Sequence, residues 1–569
     1  MKAKILTERG RRVAAAPMLA VVSIAFFLGV PGALAQDGAP SLFPGNLFFP
    51  GNLVVSRSVY VNTNSITAGQ TVLPPDCSLA NCPSPVTAVA GSAYPYVFNN
   101  DTVDGSFGIT SKILLDQVTP FGFVFTSLEV PNSSERGVTP TSDQLVTSFS
   151  SKSELALNLS TDGHALTFMG YLAPIGTIDV SNANTPGAID PTNPVGTSYY
   201  RAVAQIETLG NFHFTLTNAY SGDNGRAAIL NNTSGANFFY TAGNAGNGSN
   251  PQPAGIILGA GAQFLTPAST PEEAQSPATP TPLASFNITQ LGDKSDKIGK
   301  DTNFRGLTIF DDVLYYTKGS GSNGVNTVYF VDTTGTVCTN TNGVGLPVPG
   351  ANLPTSPLAY NPAVLLTQGL DPNNMCVLKG FPTLIAKSTS GVSYPFGIWF
   401  ANSTTLYVAD EGSGTTGTTV AGFYTPATAA QNPTAGLQKW IFNSSAGEWQ
   451  LAYILTNGLD LGVPYTVPGY PTGNNSGPGG SNLPWAPATD GLRNITGIVN
   501  PDGTATIYAI TSTISGSGDQ GADPNRMVAI RDKVSATTLP SAESFVTMRK
   551  AGFGEVLRGV AWTPGTVRQ

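Results

Sequence analysis

The sequence predicts an all-β protein, a β-propeller of six four-stranded blades, and three observations carry that expectation. A strand-turn-strand unit, Gly491–Ser512 with a Pro501-Asp502-Gly503 turn, is echoed along the chain. Segments of the same first-strand type recur near residues 154, 226, 305, 396, 493 and 558. The composition suits short strands: 569 residues include 64 Gly and 44 Pro, and only 11% are charged. A hydrophobic share of 41% is enough for a large core. Seven blades fit if a long insertion holds another. The uneven spacing leaves a multidomain chain containing a sandwich as the rival architecture.

Five basic residues (Lys2, Lys4, Arg9, Arg11 and Arg12) precede the apolar run Met18–Val30, and Ala33-Leu34-Ala35 forms a cleavage pattern. Residues 1–35 therefore read as a secretory signal peptide, with an uncleaved anchor as the alternative. Residues 36–50 read as an extended segment and 51–569 as one propeller domain with long loops. A secreted or periplasmic monomer is expected. No later run is long enough to span a bilayer, so no membrane insertion is expected after cleavage. The net charge of -8 argues against a nucleic-acid partner.

Export permits disulfides. Of three connectivities, Cys77–Cys82 with Cys338–Cys376 is favoured, because each bond closes one loop. A metal reading lacks both a CxxC spacing and a nearby His.

In chain order, Asn52–Arg57, Tyr94–Phe98 and Phe107–Leu115 read as strands without partners of their own. Unit two runs Leu155–Leu159, a Ser160-Thr161-Asp162-Gly163 turn, Ala165–Tyr171, Tyr199–Ile206 and Phe212–Thr217. Unit three takes Arg226–Ile229, Asn237–Thr241, Gly255–Leu258 and Ser285–Gln290, with a Pro/Ser/Thr-rich insertion at Thr266–Pro282. Unit four takes Arg305–Phe310, Val313–Thr317, Thr327–Val331 and Thr383–Lys387, placing Cys338 and Cys376 in its last connection. Unit five takes Phe396–Phe400, Thr405–Asp410, Leu437–Phe442 and Trp449–Leu455. Unit six adds Arg526–Ile530 and Ser544–Met548 to the Gly491–Ser512 pair. Leu557–Trp562 repeats a first strand near the end of the sequence, and the three unclaimed N-terminal strands complete its blade.

Pro395-Phe396-Gly397-Ile398, followed by Leu406-Tyr407-Val408-Ala409-Asp410, resembles an NHL-type propeller repeat. That resemblance implies the six-bladed form shared with lactonase-like and strictosidine-synthase-like proteins. Glu411-Gly412-Ser413 stands where Asn-His-Arg often follows in such repeats. It speaks for the fold more than for an activity.

Four of the six first strands begin with arginine: Arg226, Arg305, Arg493 and Arg558. Ser153-Glu154 and Phe396 begin the other two. In a closed ring these arginines converge on a tunnel mouth, and guanidinium forks suit carboxylate, phosphate or sulfate. The competing expectation is that each pairs with a carboxylate or caps a backbone carbonyl between blades. The long loops Ser56–Ala93, Ala173–Thr197, Glu411–Gly436 and Asn457–Asp490 share the arginine face, which makes it the expected binding face. Aromatic residues Tyr465, Tyr470 and Trp485 there either stack on sugar rings or anchor the loop.

Catalytic motifs are lacking. His164 beside a turn and His213 in an outer strand are the two histidines, and neither suggests a central base. A lactonase-like site would hold a divalent cation such as Ca2+ through oxygen ligands, with Glu154, Asn231, Asp311 and Asn500 as candidates and turn roles as the competing reading. Three function classes follow. One is a binding module for a small anion, a glycan or a protein. The others are a metal-dependent lactonase/esterase-like hydrolase and a structural cell-envelope protein.

Overall fold

The computed structural model describes residues 47–61, 109–130, 145–178, 180–189, 197–244, 261–268, 303–319, 324–337, 343–356, 375–386, 390–424, 432–476, 481–517 and 521–566, with positions 70, 72–73, 86–87 and 388. These belong to one compact unit, Pro44–Gln569. Every element named among them is a strand, and their sheets form a ring of the β-propeller type. The leader 1–35, Cys77, Cys82, Cys338 and the expected strands Tyr94–Phe98, Gly255–Leu258 and Ser285–Gln290 lie outside the described residues. Among the described residues no helix is long and apolar enough to cross a membrane.

Unit six shows how the sequence builds a blade. Ala488–Val499, Thr504–Ile514, Arg526–Lys533 and Val546–Lys550 pair antiparallel in that order. Its first turn closes through Gly503 N donating to Asn500 O (3.0 Å), while Thr504 N donates to Asp502 Oδ1 (3.2 Å). An Asp side chain taking the N–H two residues on is the turn chemistry that the sequence advertised. Unit five is equally regular: Pro395–Asn402, Thr405–Asp410, Gly436–Asn443 and Glu448–Leu455.

Among the described residues the innermost strands come from six sheet sections: Glu555–Trp562, Asn158–Leu159, Gly225–Asn231, Phe304–Phe310, Pro395–Asn402 and Ala488–Val499. Each touches the next, and the last touches the first, which closes the ring. The seam lies where Leu53–Val59 pairs antiparallel with both Glu555–Trp562 and Thr110–Val118. Two chain segments some 500 residues apart thus share one sheet, and neither edge of Leu53–Val59 stays open.

Three expectations need correction. In unit three the third strand, paired with Phe238–Gly243, is Ala262–Leu265, where the sequence reads Gly255–Leu258; Gln263 interrupts its short apolar run. The fourth strand of the closing unit is Val124–Glu129, joined to Thr110–Val118 by a hairpin in which Gly122 N donates to Thr119 O (2.9 Å). This strand is only half-buried along its length, so its apolar pattern is weak. In unit four the fourth strand is Met375–Leu378, not Thr383–Lys387. Met375-Cys376-Val377-Leu378 is wholly buried against Tyr329–Val331, whereas the expected segment follows Pro382 and contributes one isolated bridge at Ile385. Cys376 therefore sits on a strand and not in a connection.

Apolar side chains fill the spaces between neighbouring sheets. Phe310 stacks on Phe400 (4.5 Å), Phe381 on Trp440 (4.0 Å), and Tyr508 meets Trp562 edge-on (5.7 Å). Fully burying a side chain of this class stabilises by about 1.5–3 kcal/mol. One inter-sheet contact is ionic. Lys439 of unit five donates from Nζ to Asp532 Oδ2 of unit six (2.8 Å), to Lys533 O (2.7 Å) and to Tyr453 OH (2.9 Å), with both charged side chains fully buried. Tyr453 OH also donates to Asp532 Oδ1 (2.6 Å), so the carboxylate is satisfied from several sides.

Candidate functional site

The inner strands share one irregularity. Their pairing with the next strand of the sheet skips Arg226 in unit three, Arg305 in unit four, Phe396-Gly397 in unit five and Arg493-Asn494 in unit six. At the seam the register skips Arg558. A bulge leaves its extra residue outside the ladder and re-aims the side chain. The repeated arginine marks a repeated bulge.

Glycine follows the bulged residue in three of these strands, and close approach explains it. A Cβ on Gly306 would run into Phe396 O, one on Gly397 into Arg493 O, and one on Gly559 into Leu155 O. At these three glycines the inner-strand backbone packs directly against the backbone of the next unit.

The four arginines are all buried, but they do not share one environment. Arg558 donates from Nη1 to Ser151 O (2.6 Å), from Nε to Ser58 Oγ (3.2 Å), and from Nη2 to Phe149 O. It caps carbonyls between sheets. Arg226 is likewise engaged, through Nε with Asn224 Oδ1 (3.0 Å) and through Nη1 with Phe304 O (2.8 Å) and Asn303.

Arg305 and Arg493 converge on the carboxylate of Glu411, which is not among the sequence-predicted site residues. Arg305 Nη2 lies 3.4 Å from Glu411 Oε1, and Arg493 Nε lies 3.4 Å from Glu411 Oε2. Lys152 Nζ approaches Oε2 at 3.7 Å, and its side chain is 32% exposed. Arg305 also bonds to Ser153 and lies over the Phe396 ring at 5.9 Å. The two units without a first-strand arginine, two and five, thus supply Lys152, Phe396 and Glu411 to the same cluster.

Backbone contacts fix the carboxylate. Glu411 N donates to Tyr394 O (3.0 Å), and Ser512 Oγ donates to Glu411 O (2.5 Å). Next to it, Gly412 has φ +83°, and a Cβ there would strike the Asp490 carboxyl. Asp490 Oδ2 accepts from Gly414 N (2.7 Å), while its Oδ1 is buried with no hydrogen-bond partner among the described residues.

The electrostatics are uneven. Burial pushes the Glu411 carboxyl up, but Lys152, Arg305, Arg493 and Arg226 outweigh it and hold the group below the usual carboxylate range. Burial raises Asp490 to about 7 and Asp410 to about 6, and Glu411 adds to both shifts. Burial, joined by the charge of Arg305, lowers Arg226 to about 9. Lys152 and Arg493 are lowered by burial and by neighbouring cations, with Glu411 opposing. One firmly ionised carboxylate therefore faces four cationic side chains, and the two acids beside it are pushed towards their neutral forms. Asp223 lies near Arg226 as a further acid. Among the described residues Arg305 Nε is buried without a hydrogen-bond partner, and Arg493 bonds to Glu411 through Nε.

The four metal candidates are not brought together. Glu154 accepts from Thr147 Oγ1 (2.7 Å), Ser148 N (3.0 Å) and Tyr171. Asn231 donates to Tyr240 OH (3.0 Å), Asn500 donates to Thr504 and Thr506, and Asp311 sits in an exposed turn. Among the described residues no group of three His, Cys, Asp or Glu is placed to hold a metal ion. The aromatic loop residues anchor the loop: Tyr470 and Trp485 are buried and meet at 6.4 Å, and Tyr470 OH donates to Asp523 Oδ1 (2.7 Å).

No protein-family model and no curated protein matches the chain.

Proposed function

We propose that this protein is an exported binding propeller that takes a small anion at the arginine end of its axis. The carrying observation is the gathering of cationic side chains around Glu411, with Lys152, Arg305 and Arg493 all within 4 Å of its carboxylate and Arg226 adding its charge. Among the described residues Arg305 Nε has no hydrogen-bond partner, and the Lys152 side chain, 32% exposed, is the most solvent-accessible cation of the cluster. A carboxylate, phosphate or sulfate group matches that inventory in charge and donor geometry. The leader-like segment 1–35 supports export, and export supports disulfides at Cys77–Cys82 and Cys338–Cys376. The NHL-like stretch Pro395–Asp410 contributes Glu411 as its next residue, which ties the family resemblance to the same cluster.

The test is thermal denaturation of the mature chain with acetate, inorganic phosphate or sulfate, with and without chelator. At least one anion is expected to raise the melting temperature without needing a metal. Arg493→Gln should abolish that shift, whereas Arg558→Gln, which removes a carbonyl cap, should lower stability and keep the shift. Absence of any anion-dependent shift in the parent protein overturns the reading.

A further inference from the structure

The opposite end of the axis carries a separate feature. The last residues of all six inner strands, and the turns that follow some of them, surround a cavity of 580 Å³. That volume lies within the ~300–1,000 Å³ typical of small-molecule sites. Leu157, Ile229, Ile398 and Ile495 are buried in its deeper wall, while Phe310 and Trp399 are only partly covered. Partly covered aromatic surface in a concave site is surface that a ligand gains by covering.

Polar groups are present but of one kind. The inner strands are edge strands of their sheets, so backbone N–H and C=O groups border the axis together with the Thr308 and Thr496 side chains. Among the described residues no Lys, Arg or His lines the cavity, whereas Asp311 and Asp312 stand exposed at its rim. Both have positive φ (48° and 56°) in the two-residue hairpin between Phe304–Phe310 and Val313–Lys318. The two ends of the axis therefore differ in sign: cations gather around Glu411, and carboxylates guard this opening.

We propose that this cavity binds an uncharged organic molecule that combines a ring with hydrogen-bonding groups, and that it discriminates against anions. Ring surface covers Phe310 and Trp399, the strand edges and threonines take the ligand's donors and acceptors, and the Asp311-Asp312 rim repels negative charge within a Debye length of about 8–10 Å. The site is independent of the arginine cluster, and either can fail without the other.

Two dyes with the same rings make the test. N-phenyl-1-naphthylamine is neutral, and 8-anilinonaphthalene-1-sulfonate adds one sulfonate to it. The neutral dye is expected to bind the parent protein at one saturable site with enhanced emission. The sulfonate should displace it only at tenfold or higher relative concentration. Ala401→Trp and Thr496→Trp, which fill the cavity, should each weaken the neutral dye at least tenfold with a near-parental melting temperature. Asp311→Asn/Asp312→Gly installs the pair that this turn geometry prefers and removes the rim charge. It should leave the neutral dye unchanged and make the sulfonate at least threefold more competitive. No binding of the neutral dye, binding that survives both tryptophan variants, or equal competition by the sulfonate in the parent protein would overturn the proposal.

Discussion

Arg493 and Glu411, 82 residues apart in the chain, meet at 3.4 Å with both side chains almost fully buried. The pair joins the inner strand of unit six to the end of the second strand of unit five. Arg305 of unit four holds the other carboxylate oxygen. One side chain thus ties three consecutive sheets at the axis.

Removing that carboxylate leaves Arg305 and Arg493 charged, buried and uncompensated. Glu411→Ala is expected to lower unfolding stability by about 3–5 kcal/mol, the range for breaking a buried ion pair. The space left behind is the size of a small carboxylate, so added formate or acetate should restore part of the loss in the variant and much less in the parent. Denaturant unfolding with and without formate reads both effects. A variant as stable as the parent would refute the central role of Glu411.

Asp490 gives a pH signature. Its carboxyl sits near 7 in the folded chain against an ordinary value of 3.8. Between those values the folded chain holds a proton that the unfolded chain has released, so this group lowers stability as pH rises through the window. Asp490→Asn mimics the protonated acid and keeps an acceptor for Gly414 N. Its stability advantage over the parent should be small near pH 4, grow towards pH 7 and level off above it, reaching at most about 4 kcal/mol. Melting curves of both proteins from pH 4 to 8 would show it, and a pH-independent difference would argue against the raised carboxyl.

Gly397 offers a steric test of the bulge packing. A Cβ there meets Arg493 O and Ile495 N, both backbone atoms of the neighbouring inner strand. Gly397→Ala is expected to cost about 2–3 kcal/mol, the upper part of the range for overpacking. Gly503 in the outer turn has φ +78° with nothing within 4 Å, so Gly503→Ala should suffer only backbone strain, about 1 kcal/mol. Equal losses at the two positions would count against close approach as the reason for glycine after the bulge.

Lys439 tests the ionic contact between units five and six. Lys439→Met keeps the stem and removes the ammonium, leaving Asp532 buried with two tyrosine donors. A loss of about 3–5 kcal/mol is expected. Replacing Asp532 by Leu as well should recover part of it, because the unpaired charge disappears. Chemical denaturation of the single and double variants measures the coupling.

What was legible in the sequence was local. The Asp162-Gly163 and Asp502-Gly503 turns announced their hairpins, and units five and six match expectation to within a few residues because their strands are apolar, β-branched-rich runs bounded by turn residues. Met375–Leu378 was passed over because a four-residue apolar run carries no period of its own. The recurring arginines were visible, but their bulges were not, since a bulge is a property of the pairing between two strands. Glu411, Lys152 and Asp490 belong to separate units, and only ring closure brings them to one point. The one local hint was Glu411-Gly412-Ser413 standing in place of the tripeptide that commonly ends an NHL-like repeat.

The seam at Leu53–Val59 sets a timetable for synthesis. That segment emerges early, yet its partner Glu555–Trp562 lies 502 positions later, counting from Leu53 to Glu555. At roughly 5–20 residues per second, an apolar strand waits about 25–100 s with one edge unmatched. Until residue 562 is made the ring is an open arc with two sticky ends, vulnerable to pairing with another nascent chain. A protein wired this way cannot lock prematurely. It stays threadable for most of its manufacture and becomes a closed object in a single late event.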